Sequence, residues 1–159
     1  MDELLKQGRR PSAKAKTTVE VCHCIDIDSW AREGLPQPGR IRSGVREWRT
    51  RGGEEVTRLA YALDMTNPHV RLQYTDVKTG GHVDYRVRLV STRLPSGGLC
   101  WWFKCPLMVA ARECPQRVRK LYLPPGGKYF MCRHCWRLSY TSQRQDAITR
   151  GPQQLARAG

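Results

Sequence analysis

Two pairs of cysteines, Cys105/Cys114 and Cys132/Cys135, limit what this chain can fold into more than anything else in its sequence. Between the pairs lie a β-prone run at 118–123, a turn Pro124-Pro125-Gly126-Gly127, and a second short run at 128–131. Two cysteine-bearing turns joined by a hairpin describe a zinc ribbon. In such a ribbon four thiolates converge on one tetrahedral ion at about 2.3 Å each. The metal then supplies folding energy that so small a core cannot.

The two pairs differ in how specific they are. Cys132-Arg133-His134-Cys135 has the spacing of a zinc knuckle, in which backbone N–H groups of the turn point at sulfur. Cys105 and Cys114 stand further apart, so that half reads as a loop. The competing account is that these are ordinary buried thiols of a reduced protein, but pairs flanking a hairpin favour a metal. Cys100, just before Cys105, and His134, inside the knuckle, are alternative ligands that spacing leaves open. The expected set is Cys105, Cys114, Cys132 and Cys135 around one Zn²⁺. Four thiolates leave no position for an activated water, so the ion is structural.

Charge points to a partner. The chain has 159 residues and a formal net charge of +14. Residues 1–85 carry 14 Lys+Arg and 12 Asp+Glu, a balance of +2. Residues 86–159 carry 14 Lys+Arg against Glu113 and Asp146, a balance of +12. A basic excess of that density attracts nucleic acid by releasing condensed counterions. The plainer alternatives are a solubilising face, or arginines offsetting a negative zinc tetrathiolate. Seven cysteines is an odd number, and their clustering suits metal in a reducing compartment better than a disulfide framework. With no long apolar run and no signal peptide at Met1, a cytoplasmic location with no membrane contact is the expectation.

Read in order, the chain is expected to be mainly β: a small antiparallel sheet, then a C-terminal zinc ribbon, then a short helical tail. Residues 1–16 read as a flexible basic arm. Residues 17–96 read as the β domain, with a short helical turn near 28–34. Residues 97–145 are the ribbon and 146–159 a tail. Alternation of Val19, Val21, Ile25 and Ile27 predicts a strand over 17–27. Cys22-His23-Cys24 lies inside it, and adjacent strand residues face opposite ways, so the triplet reads as structural. Asp26 and Asp28 offer N-cap oxygens to a turn that presents Trp30 to the sheet. Further strands follow near 41–50, 56–64, 69–75 and 82–90, the last with the cleanest alternation. Residues 91–98 read as a linker. Trp101-Trp102-Phe103 is expected to pack between sheet and ribbon, with a stacking platform for unpaired bases as the alternative. Beyond Cys135, Trp136 and Tyr140 have the i, i+4 spacing of a helix.

The residues Trp102-Phe103, Cys105-Pro106-Leu107, Cys114, Arg117-Val118, Lys120-Leu121-Tyr122-Leu123, Phe130, Cys132-Arg133-His134-Cys135, Leu138, Tyr140 and Ser142-Gln143 carry a resemblance. So do Trp30, Arg32-Glu33-Gly34-Leu35 and Pro38-Gly39 upstream. The pattern resembles a group of uncharacterised bacterial zinc-ribbon proteins of mobile-element, plasmid or prophage settings. The resemblance implies a zinc-bound β domain and brings no activity with it. This chain has Pro115-Gln116 where that group usually has glycine and arginine, and Cys100 where it often has a polar or basic residue.

The leading expectation is a nucleic-acid-binding protein whose ribbon presents Arg117, Arg119, Lys120, Lys128, Arg133 and Arg137 to the phosphates of DNA or RNA. The second is an adaptor that docks on a protein without touching nucleic acid. Catalysis is not expected, because the chain has no GxxxxGK[ST], GxSxG or HExxH pattern and its histidines are scattered. No small-molecule substrate is implied.

Overall fold

The computed structural model describes residues 17–49 and 56–142. The basic arm at 1–16, the turn Arg51-Gly52-Gly53 and the tail beyond 142 lie outside the described residues. Among the described residues, ten strands and one short helix follow in chain order: β1 (His23–Asp26), α1 (Ile27–Arg32), β2 (Ile41–Arg49), β3 (Val56–Asp64), β4 (His69–Thr75), β5 (His82–Arg93), β6 (Leu99–Lys104), β7 (Met108–Val109), β8 (Arg112–Glu113), β9 (Arg117–Val118) and β10 (Lys120–Leu123). The expectation of a mainly β chain holds. The principal sheet is six-stranded and antiparallel, in the order β2-β3-β4-β5-β6-β9, with two small ladders, β1-β10 and β7-β8, beside it.

Period-two alternation builds the main sheet. Leu59 and Leu63 of β3, Val70 and Leu72 of β4, and Val87 of β5 are all 0% exposed on one face. That face is covered from two sides. Trp30 on α1 stacks on Tyr61 at 5.0 Å between ring centres and meets Phe103 edge-on at 5.6 Å. Ile25, Leu121, Phe130 and Met131 join the same buried cluster. The α1 helix starts where the sequence placed its cap: the Asp26 carboxylate accepts from the Asp28 N–H at 2.9 Å.

Three expectations are corrected. The strand predicted over 17–27 is broken. Val19–Val21 is a 3₁₀ turn, only His23–Asp26 is strand, and Ile27 already belongs to α1. The Val19 N–H is taken by the Ser139 carbonyl and the Ser139 N–H by the Thr17 carbonyl, so residues 17–19 pair outside the sheet. Ile25 and Ile27 are both buried, but the second is buried from a helix.

The stretch read as a linker at 91–98 is a β-hairpin. Ser91 to Arg93 prolong β5 against Leu99–Trp101, and the turn closes with Leu94 N–H to Gly98 O at 2.8 Å. Gly97 sits at φ +91, which only glycine adopts freely. Hydrogen bonds of the main sheet therefore join residues 89–93 to 99–103 on either side of this turn.

The run 118–123 does not form one arm of a hairpin. It divides at Arg119: Val118 pairs with Phe103 in the main sheet, while Lys120–Leu123 pairs with β1. The expected partner run contributes one bridge, Tyr122 to Met131, with reciprocal hydrogen bonds of 2.8 and 3.1 Å. Sheet side chains pin the intervening turn. The Tyr74 hydroxyl donates to the Lys128 carbonyl, and the Phe130 N–H donates to the Tyr85 hydroxyl at 2.8 Å.

Candidate metal centre

The four cysteines of the predicted set arrive on three pieces of chain. Cys105 follows the last residue of β6 directly. The chain then turns back through the miniature β7-β8 hairpin, with Ala110 and Ala111 at its tip in the left-handed region (φ 49 and 60). The Cys114 N–H closes that loop on the Leu107 carbonyl at 2.8 Å. The segment expected to be an open loop is thus a second tight turn. Cys132 and Cys135 sit on the other side, after the Tyr122–Met131 bridge.

The ligand atoms of Cys105, Cys114, Cys132 and Cys135 all lie within 4.8 Å of one another. Cys105 Sγ is 3.9 Å from Cys135 Sγ, which is 3.5 Å from Cys114 Sγ. Backbone donors converge as a knuckle requires: the Cys132 N–H points at Cys105 Sγ and the Cys135 N–H at Cys132 Sγ, both at 3.4 Å. Cys105 and Cys132 are buried, whereas Cys114 and Cys135 are half-buried and form the outer rim. These four thiols could hold a metal ion.

The crowding leaves its mark on ionisation. Hydrogen bonds from Cys105 and Cys135 favour a thiolate at Cys132 and hold it far below the ordinary thiol range. The same contacts push Cys105 and Cys135 up. A divalent cation bound among them would favour the ionised form of the sulfurs it touches.

Neither alternative ligand joins the group. Cys100 Sγ instead takes a contact from the Arg119 guanidinium at 3.2 Å, and His134 is exposed. Cys22 and Cys24 also stay apart from it. Burial raises each of their thiols to about 11, and the Cys22 S–H lies 3.3 Å from the Thr18 carbonyl. His23 packs on Trp48 at 5.2 Å.

The predicted phosphate contacts are not one row. Arg117 and Arg119 lie over the Trp102 ring at 5.4 and 4.7 Å from its centre. Arg119 is also held by Asp28 at 2.8 Å, and Lys120 lies 3.6 Å from Asp26. Lys128 lies over Tyr129, and Arg133 over Tyr140. Arg137 is exposed in the left-handed region (φ 52), one residue past Trp136, and this turn, with Ser139 bridged to Thr18, replaces the helix expected to carry Trp136 and Tyr140. Sequence reasoning gave Asp26 and Asp28 capping roles only and missed these ion pairs, because their partners are about ninety residues away in the chain. It also treated Trp101-Trp102-Phe103 as one packed cluster. Phe103 is buried and Trp101 packs on the core, but Trp102 lies outside the core cluster. Strand alternation across those residues was the available signal.

The chain matches no protein-family model, no curated protein and no solved structure. Among the described residues no helix is long and apolar enough to cross a membrane.

Proposed function

We propose that this chain is a nucleic-acid-binding protein of the zinc-ribbon kind, in which one structural Zn²⁺ stiffens the basic C-terminal half. The observation that carries the reading is the closure of four sulfurs into one group within the half that holds the +12 balance. A regular tetrahedron with Zn–S of about 2.3 Å has S–S edges of about 3.8 Å. The separations of 3.5 and 3.9 Å bracket that edge. An all-sulfur donor set suits Zn²⁺ and excludes Mg²⁺ and Ca²⁺, which take oxygen. With sulfur at every position the ion has no site for activated water, so its role is to fix the fold.

Binding in this reading is to the phosphate backbone. Arg117, Lys128, Arg133 and Arg137 supply cations, and the acidic partners of Arg119 and Lys120 reduce those two. The test is a titration against double-stranded DNA, single-stranded DNA and RNA from about 50 to 200 mM salt. Affinity should fall steeply with salt. Absence of binding to all of them at the lowest salt refutes the reading.

One observation favours the second reading, a protein-docking adaptor. Edge strand β2 presents Ile41 and Val45 at 65% and 58% exposure. Salt-insensitive retention of a protein, with no retention of nucleic acid, is its signature.

A further inference from the structure

The buried alternation of the sheet fixes what stands on its other face. Leu89 and Phe103 are Cα partners on the core side, 5% and 0% exposed. Arg88, Val90, Trp102 and Lys104 therefore belong to the open side. Register extends that side across the strands. His69 partners Arg88, Arg71 partners Arg86, and Lys104 partners Arg117. Arg88 and Lys104 each lie one residue beyond the Leu89–Phe103 pair. His69, Arg88, Lys104 and Arg117 thus form one transverse row over β4, β5, β6 and β9. Beside the row is Trp102, half-buried, its indole N–H donating to Thr92 Oγ1 at 3.1 Å.

Compensation on this face is partial. Arg71 is bound to Asp84, and Arg119 to Asp28. Arg88 lies 3.8 Å from Glu113. Lys104 Nζ reaches the Pro115 carbonyl at 3.1 Å. Among the described residues neither Arg86 nor Arg117 has a carboxylate partner. Towards β2 the same face carries Val45, Ala60 and Ala62 together with Arg49 and Arg58, the latter paired with Glu47 at 2.7 Å.

We propose that the β5-β6-β9 end of this open face binds single-stranded nucleic acid. The proposal rests on the nucleic-acid reading above and moves the principal contact from the knuckle to the sheet. Two interstrand steps of about 4.8 Å separate β5 from β9, so Arg88, Lys104 and Arg117 span about 10 Å, the length of a short stretch of single strand. Arg86, Arg88, Lys104 and Arg117 track the phosphates. The Arg117 and Arg119 guanidinium groups lie over the Trp102 ring at 5.4 and 4.7 Å from its centre, and an unpaired base stacks on this layered arginine–tryptophan surface. A duplex keeps its base faces stacked internally and cannot use that surface. An acidic peptide would use the cations but not the ring.

The test is fluorescence anisotropy on the full chain with labelled twelve-nucleotide dT and U strands and a DNA duplex of equal length. Three sets of variants accompany the parent: Arg86→Glu with Lys104→Glu on the sheet, Lys128→Glu with Arg133→Glu at the knuckle, and Trp102→Leu beside Trp102→Phe. Metal content and thermal midpoint confirm folding, and if Trp102→Leu unfolds, Trp102→Phe and the sheet pair carry the test. The single strands should bind more tightly than the duplex, and the dT and U arms identify the sugar. The sheet pair should weaken single-strand binding at least tenfold more than the knuckle pair. Trp102→Leu should cost about tenfold, most of it restored in Trp102→Phe. A larger loss at the knuckle than on the sheet overturns this inference and leaves the broader reading standing. Preference for the duplex, or polyglutamate binding as tightly as the single strands, also overturns it. No binding to any oligonucleotide at about 50 mM salt removes both.

Discussion

Replacing Cys132 and replacing Cys114 with serine should have unequal consequences. A structural zinc site contributes about 10–16 kcal/mol at neutral pH, or about 2.5–4 kcal/mol per thiolate if shared equally. Losing one thiolate therefore costs two to three powers of ten in metal affinity. Cys114 is on the half-buried rim, where water can take the vacated position, so Cys114→Ser should stay near that figure. Cys132 is 0% exposed, and its sulfur accepts the Cys135 N–H at 3.4 Å. Serine there loses the ligand and also leaves a poorly satisfied hydroxyl in the interior, about 1–3 kcal/mol more. Competitive titration with a chromophoric chelator measures the first effect, and thermal unfolding of the metal-loaded proteins measures the second. If Cys132→Ser holds metal as tightly as the parent, or if Cys114→Ser is the more damaging, the reasoning about rim and interior is refuted.

Other substitutions probe the frame around the site. A Cβ on Gly44 would stand 2.6 Å from Tyr61 Oη, and the Tyr61 ring is stacked against Trp30. Gly44→Ala should thus destabilise by about 1–3 kcal/mol in denaturant melts, with only part of the loss recovered in a Tyr61→Phe background, because the Tyr61 ring carbons at 2.8 and 3.0 Å remain in the way. Ala111 sits at φ 60 in the β7-β8 turn, so Ala111→Gly should stabilise by about 0.5–1 kcal/mol and raise the thermal midpoint by a few degrees; a drop would contradict the turn geometry. Burial raises the Cys22 and Cys24 thiols from 9.0 to about 11. Their effect on stability is therefore constant below pH 9 and turns unfavourable between 9 and 11, as the unfolded chain ionises first. Cys24→Val should flatten that alkaline decline in a pH series of melts, and an unchanged profile would dissociate it from this thiol.

The parts of the fold that one segment decides were readable in advance. Alternation in β3, β4 and β5 places Leu59, Leu72 and Val87 inside whatever the partner strand. The Asp26 cap depends on residues two apart. The four cysteines announce a shared centre by spacing alone, and the sulfurs do converge. What failed depends on pairings between distant segments. Run 118–123 looks like one strand, but Phe103 takes one end and β1 the other. The 91–98 stretch has the Pro and Gly of a linker and of a hairpin turn alike; only the register of β5 on β6 separates them. For the same reason charge density located the basic half without telling which arginines Asp26 and Asp28 would hold.

Zinc-edge X-ray absorption on protein purified without added chelator, with metal counted per chain, tests the central claim most directly. The account predicts one zinc per chain with a first shell of four sulfurs at about 2.3 Å. A metal-free, folded protein whose thiols at 105, 114, 132 and 135 react freely with a thiol reagent, or a first shell containing nitrogen or oxygen, would contradict it.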